Sequence, residues 1–150
     1  MGWIEDLHGE IVGLDTSPFI YYIERKPDYV EVLRPFFQTV DKGQISVVTS
    51  IVTLLETLVH PFRNGNTELA YQYRDILFHT RGLTTIQLSQ DIAEEAAKLR
   101  ASHPNIRTPD AIQMATAINA NASFFLTNDA RLPSLSNLAI LQLDELKTRL

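Results

Sequence analysis

A chain of 150 residues, 45% hydrophobic and 21% charged, is long enough to bury one sizeable core and is expected to form a single domain. It has no cysteine, which excludes disulfides and thiolate metal sites and leaves oxygen or imidazole to hold any metal. The formal net charge of −5 argues against coating nucleic acid by charge alone, but not against an enzyme that meets phosphates through bound cations.

From the N-terminus, residues 1–10 carry Glu5, Asp6 and Glu10 and lack the basic start and apolar centre of a signal peptide. No apolar run approaches the roughly 20 residues of a membrane span, so a soluble, cytoplasmic protein without a membrane partner is expected. Residues 10–14 (EIVGL) read as a short strand that stops at Asp15-Thr16-Ser17-Pro18, where a helix starts. Asp15 is then either a helix cap, worth about 0.5–2 kcal/mol, or a functional acid at a strand exit. Phe19, Ile20 and Ile23 mark a short helix closed by Pro27. A second helix over 29–40 turns Val30, Leu33, Phe36, Phe37 and Val40 inward and passes Pro35.

Residues 45–48 (ISVV) form a continuous apolar strand of the kind buried on both faces, and Thr49-Ser50 restart a helix that is expected to end near His60-Pro61. Within 44–60 the sole formal charge is Glu56, whose helical neighbours are Val52, Thr53, Val59 and His60. A carboxylate on so apolar a surface must reach solvent at the helix edge or find a cation or hydrogen bonds. Residues 63–66 (RNGN) read as a turn, 67–80 as a helix whose aromatics are core or a partner-facing surface, and 83–88 (LTTIQL) as a third strand. Ser89 caps a helix reaching Arg100, and 101–107 is a polar linker.

Thr108 is a good N-cap and Pro109 suits a first helical position, so the next helix is expected to begin at Asp110, with Ala111, Ala115, Ile118 and Ala122 at helical spacing. The strand SFFL follows at 123–126 after so short a connection that helix and strand must run antiparallel. Asp110, at the helix start, and Asp129, just past the strand end, therefore come to one edge. A turn at 132–135, a last strand at 138–141 and a terminal helix over 144–150 complete the chain.

This alternation predicts an α/β fold, a three-layer α/β/α sandwich around a mainly parallel sheet of four to five short strands. In it Asp15 and Asp129 leave strand C-termini, Asp110 opens a helix at the same edge, and Glu56 lies about 9 Å down its helix at 1.5 Å per residue, within reach only if that helix tilts. Four acids so close need a counter-ion, and an all-oxygen set favours Mg²⁺ or Mn²⁺ and metal-assisted attack on phosphate. Without the ion they are expected to repel one another, so that removing one charge, as in Asp129→Asn, would raise stability. Arg25, Lys26, Arg63, Arg107 and Arg131 flank the expected rim or its loops and are either contacts to substrate phosphates or solvated surface charge.

The pieces GLDTSPFIYYI, SVVTSIVTLLE, TPDAIQMATA and FFLTNDARL, which together span nearly the whole chain, resemble a PIN-domain ribonuclease, most closely the VapC-type toxins of bacterial toxin–antitoxin pairs. The resemblance implies that Asp15, Glu56, Asp110 and Asp129 make an acidic metal site, with Thr127 as a polar helper and Thr16 and Asn128 as further candidates. It also implies endonucleolytic RNA cleavage by a metal-activated water, a homodimer and inhibition by a small antitoxin. Two other readings stand beside it: a phosphatase or phospho-receiver using Asp15, which lacks a convincing lysine partner and a second acid directly beside Asp15, and a non-catalytic PIN-like module that binds RNA or protein.

Overall fold

Successive side chains of a strand point to opposite faces, and here both faces are covered. Val12 and Leu14 enter one hydrophobic cluster, while Ile11 enters another on the far side of the sheet. The computed structural model describes residues 2–148. Within them a 3₁₀ turn (Glu5–Leu7) leads into β1 (Ile11–Leu14), α1 (Thr16–Ile23), α2 (Val30–Asp41), β2 (Ser46–Ser50), α3 (Ile51–Arg63), α4 (Thr67–His79), β3 (Leu83–Ile86), α5 (Gln90–Ser102), α6 (Thr108–Asn119), β4 (Phe124–Thr127), β5 (Ala139–Gln142) and α7 (Leu143–Lys147). The five strands form one sheet in the order β3-β2-β1-β4-β5, and every neighbouring pair is parallel.

One face of the sheet is covered by α1, α2, α4 and α7 through residues such as Phe19, Phe36, Tyr73 and Leu143. The other is covered by α5 and α6 through Ile92, Leu99, Ala111, Met114 and Ala115. The result is the expected three-layer α/β/α arrangement, with a sheet parallel throughout. Helix α6 lies against the sheet because the facing residues are small. A Cβ built on Gly13 of β1 would stand 2.6 Å from the Ala117 Cβ and 2.8 Å from Phe125 Cδ1, both inside contact distance. Gly13 thus lets α6 approach the central strands closely.

The strand order decides where a site can open. From β1 the chain builds outward through β2 and β3 on one side, and β4 and β5 lie on the other. The loops leaving β1 and β4 therefore part company at the centre of the sheet, where such folds leave a crevice. Asp15 follows β1 and Asp129 follows β4 by two residues.

Several boundaries differ from expectation. Helix α6 begins at Thr108 rather than Asp110, with Arg107 in the cap position and no side-chain cap bond, so Thr108 is inside the helix. Helix α3 continues through Pro61 to Arg63, and His60 lies within it. A proline this close to the C-terminus removes one hydrogen bond from the last turn only, which the helix tolerates. Strand β3 ends at Ile86, short of Leu88. The last two residues of the terminal helix expected over 144–150 lie outside the described residues.

Candidate active site

The two readings of Asp15 turn out to use different oxygens of one carboxylate. Oδ1 accepts the Thr16 backbone N–H at 2.8 Å and caps α1, while Oδ2 accepts from Thr127 Oγ1 at 2.7 Å across the β1–β4 boundary. Asp15 is 8% exposed, and that burial is the main force pushing its pKa up to about 6, against the two hydrogen bonds that lower it. The charges of Asp110 and Glu56 push in the same direction. Fully buried Thr127 also accepts the Asp129 backbone N–H at 3.0 Å, so one hydroxyl ties together the exits of both central strands.

Glu56 reaches the same edge from the sixth position of α3. Its Oε1 accepts from the Thr16 hydroxyl at 2.7 Å, which meets the demand that a carboxylate on an apolar helix face find a partner. Beneath it runs a buried polar group that sequence reading missed. Gln113 Nε2 donates to Thr16 Oγ1 at 3.1 Å and to Thr53 Oγ1 at 2.7 Å, its Oε1 accepts the Ser50 N–H at 3.3 Å, and Thr53 contacts Thr49 Oγ1 at 2.8 Å. Thr49 donates in turn to the Leu14 carbonyl at 2.8 Å. The one available signal was Gln113 itself, a long polar residue between positions already assigned to the buried face of its helix.

Asp110 and Asp129 are each held by an arginine close in sequence. Arg107 Nε donates to Asp110 Oδ2 at 3.2 Å from three residues earlier. Asp129 Oδ1 accepts both the Arg131 backbone N–H and Arg131 Nε at 2.9 Å, and Oδ2 accepts the guanidinium again at 2.9 Å. Those bonds hold the Asp129 pKa below the usual carboxylate value. The expectation that Asp129 carries the strain of mutual repulsion is thus corrected: the energetic cost falls on Asp15, which is buried without a cationic partner among the described residues. Asn128 donates through Nδ2 to Tyr29 Oη at 3.3 Å, and Tyr29 donates to Asp144 at 2.8 Å. Asn128 Oδ1 is the one buried side-chain polar atom without a hydrogen-bond partner among the described residues.

The four acids line one open cleft of about 480 Å³ together with Thr16, Ser17, Ile20, Arg107, Asn128 and Arg131. Three of the cations expected near this rim are elsewhere. Arg63 ends α3, twelve residues or about 18 Å along the axis from the helix start at the rim. Arg25 and Lys26 follow the far end of α1; Arg25 lines a separate groove with Arg34 and Gln72, and Lys26 approaches Glu24 at 3.9 Å. Each is near a rim segment in sequence, but the helix between them, α1 or α3, carries it away from the cleft.

Among the described residues no three acids or histidines form a ready-made ion-binding group, and the guanidiniums of Arg107 and Arg131 are paired with two of the carboxylates. The donor chemistry nevertheless fits a hard divalent cation. Among the described residues the cleft offers carboxylate oxygens without imidazole or sulfur, and none of these residues places a positive charge on Asp15.

Comparison with known proteins gives this geometry its context. The PIN domain family model matches residues 12–138, from the second residue of β1 to the residue before β5. The chain belongs to the PIN domain family. Solved structures with a similar fold include VapBC2 from Rickettsia felis bound to a DNA fragment from its promoter, at 20% identity and a TM-score of 0.69, covering 88% of this chain and 98% of that one. VapBC from Salmonella typhimurium, bound to DNA, is 19% identical with a TM-score of 0.61, covering 89% and 98%. A toxin–antitoxin complex from Klebsiella pneumoniae is 20% identical with a TM-score of 0.60, covering 86% and 95%. No curated protein matches this PIN domain in sequence. No helix of the described residues is long and apolar enough to cross a membrane.

Proposed function

We propose that this PIN domain is a Mg²⁺- or Mn²⁺-dependent endoribonuclease that hydrolyses RNA phosphodiesters with water, and that it serves as the toxin of a toxin–antitoxin pair. The observation that carries the reading is the gathering of Asp15, Glu56, Asp110 and Asp129 along one cleft at the point where the sheet's strand order reverses. PIN domains are generally nucleases that use divalent metals, and complexes of toxins with antitoxins are among the structures that share this fold. The same proposal includes a homodimer and a small antitoxin partner.

Asp15, Glu56, Asp110 and Asp129 would hold the cation, which when bound supplies an acidified water and neutralises charge developing on the scissile phosphate. Asp15, ionising only near pH 6, is the acid most in need of a counter-ion at neutral pH. Thr127 orients that carboxylate through Oδ2. Thr16 orients Glu56, and Arg107 and Arg131 set positive charge at the cleft wall where an RNA backbone would pass.

The test is cleavage of a defined RNA by the purified protein. Mg²⁺ or Mn²⁺ should support it and EDTA should stop it, while Asp15→Asn and Asp129→Asn should lose most activity and remain folded. Cleavage at the wild-type rate by either variant, with contaminating nuclease excluded, would remove these acids from the mechanism. Light scattering and co-expression with a neighbouring small gene test the dimer and the antitoxin.

A further inference from the structure

We propose that Gln113 is a positioning residue that fixes Glu56 at the cleft by dictating where the Thr16 hydroxyl points, an inference that rests on the nuclease reading for its consequence but not for its geometry. Gln113 is 2% exposed on α6, three residues and so one helical turn beyond Asp110, while Glu56 belongs to α3 and Thr16 to α1. One buried amide joins the two helices that carry Glu56 and Asp110 to the rim with the helix that Asp15 caps.

Counting protons gives every bond a direction. The Ser50 N–H is a donor only, so the amide oxygen of Gln113 must face it, and the NH₂ group must face Thr16 Oγ1 and Thr53 Oγ1. Each threonine then has its single proton to place. Thr53 sends its proton to Thr49 Oγ1, because Thr49 has already given its own to the Leu14 carbonyl. Thr16, accepting from Gln113, sends its proton to Glu56 Oε1 at 2.7 Å rather than to Thr53 Oγ1 at 3.1 Å, which already accepts from the Gln113 amide. The opposite amide orientation would set the NH₂ against the Ser50 N–H and turn an acceptor toward Thr16, drawing the hydroxyl away from Glu56. The orientation of Glu56 is thus decided by a residue that does not touch it and does not line the cleft.

Removing a residue that orients a metal-binding carboxylate costs about 10- to 100-fold in metal affinity. Gln113→Met, which keeps the length and loses both donors, should therefore weaken Mn²⁺ binding measured by calorimetry by at least about tenfold. Thr16→Val should do the same, Thr16→Ser should retain the wild-type affinity, and the Thr16→Val/Gln113→Met double variant should bind no more weakly than Thr16→Val alone. Equal affinity in Gln113→Met, or losses that multiply in the double variant, would overturn the proposal.

Crystal structures of wild type and Gln113→Met in EDTA give a readout independent of metal and activity. The Thr16–Glu56 hydrogen bond should be present in the first and broken in the second, and its persistence in Gln113→Met would refute the positioning role. If the wild type takes up no Mn²⁺, the nuclease reading fails while these structures still decide the role of Gln113. Should Gln113→Met not fold, Gln113→Leu, which is smaller and offers no donor, replaces it with the same expected outcomes.

Discussion

Asp15→Asn in the metal-free protein is the perturbation whose sign follows most directly from the structure. The folded-state carboxyl is pushed from an ordinary 3.8 up to about 6, chiefly by burial, so the folded chain holds this proton more tightly than the unfolded one. Asp15 is therefore free of penalty below about pH 4, loses stability as pH rises through the window to about 6, and carries the full cost above it. At roughly 1.4 kcal/mol for each tenfold change in proton affinity, the cost at neutral pH is about 3 kcal/mol. Asparagine removes the charge and keeps an acceptor for the Thr16 N–H, but its NH₂ cannot accept from Thr127, which forfeits about 1 kcal/mol. The net gain is about 2 kcal/mol, or about 4–8 °C for a chain of this size. Thermal melts of both proteins in EDTA from pH 4 to 8 isolate the effect, because every other titrating group is common to the pair. The variant should melt with or slightly below the wild type near pH 4 and climb above it by about pH 7. A variant less stable at neutral pH, or a difference that does not change with pH, would refute the argument.

Three further outcomes follow from particular contacts. Asp129→Asn should melt below the metal-free wild type at neutral pH, since Asp129 is stabilised as an anion by Arg131, and the difference should shrink as pH falls through its depressed pKa and the wild-type carboxylate protonates. Gly13→Ala should cost about 1–3 kcal/mol or more in denaturant unfolding, because its Cβ would lie 2.6 Å from Ala117 Cβ in the tight β1–α6 contact. Arg107→Gln and Arg131→Gln should each flatten the salt dependence of RNA binding by about 0.7 in log–log slope, whereas Arg63→Gln, at the far end of α3, should leave it unchanged.

The parts of this structure written in local signals were legible in the sequence. Apolar runs bounded by Asp15-Thr16-Ser17-Pro18, Thr49-Ser50 and Ser89 mark where strands stop and helices start, and they fix the order of elements to within a few residues. The short link between α6 and β4 brings Asp110 and Asp129 to one edge, where both line the cleft. What was illegible depends on partners distant along the chain. Glu56 is 40 positions from the Thr16 that holds it, and Gln113 is 97 from the same hydroxyl, so neither contact leaves a periodic trace. The arginines failed differently. Arg107 and Arg131 lie within three residues of the acids they bind, a local pairing that was open to view, while Arg25, Lys26 and Arg63 required following α1 and α3 to their far ends. That pairing reverses the expected stability effect at Asp129 and shifts it to Asp15.

Whether the four acids, on two helices and at two strand exits, form one cation site is decided by anomalous diffraction from crystals soaked in Mn²⁺. A peak is expected in the cleft within coordination distance of Asp15 and at least one of Asp110, Asp129 and Glu56, with the Arg107 and Arg131 guanidiniums withdrawn from any acid that binds the ion. Crystals saturated with Mn²⁺ in which both arginine–aspartate pairs remain closed and the cleft shows no anomalous peak would contradict a shared cation site.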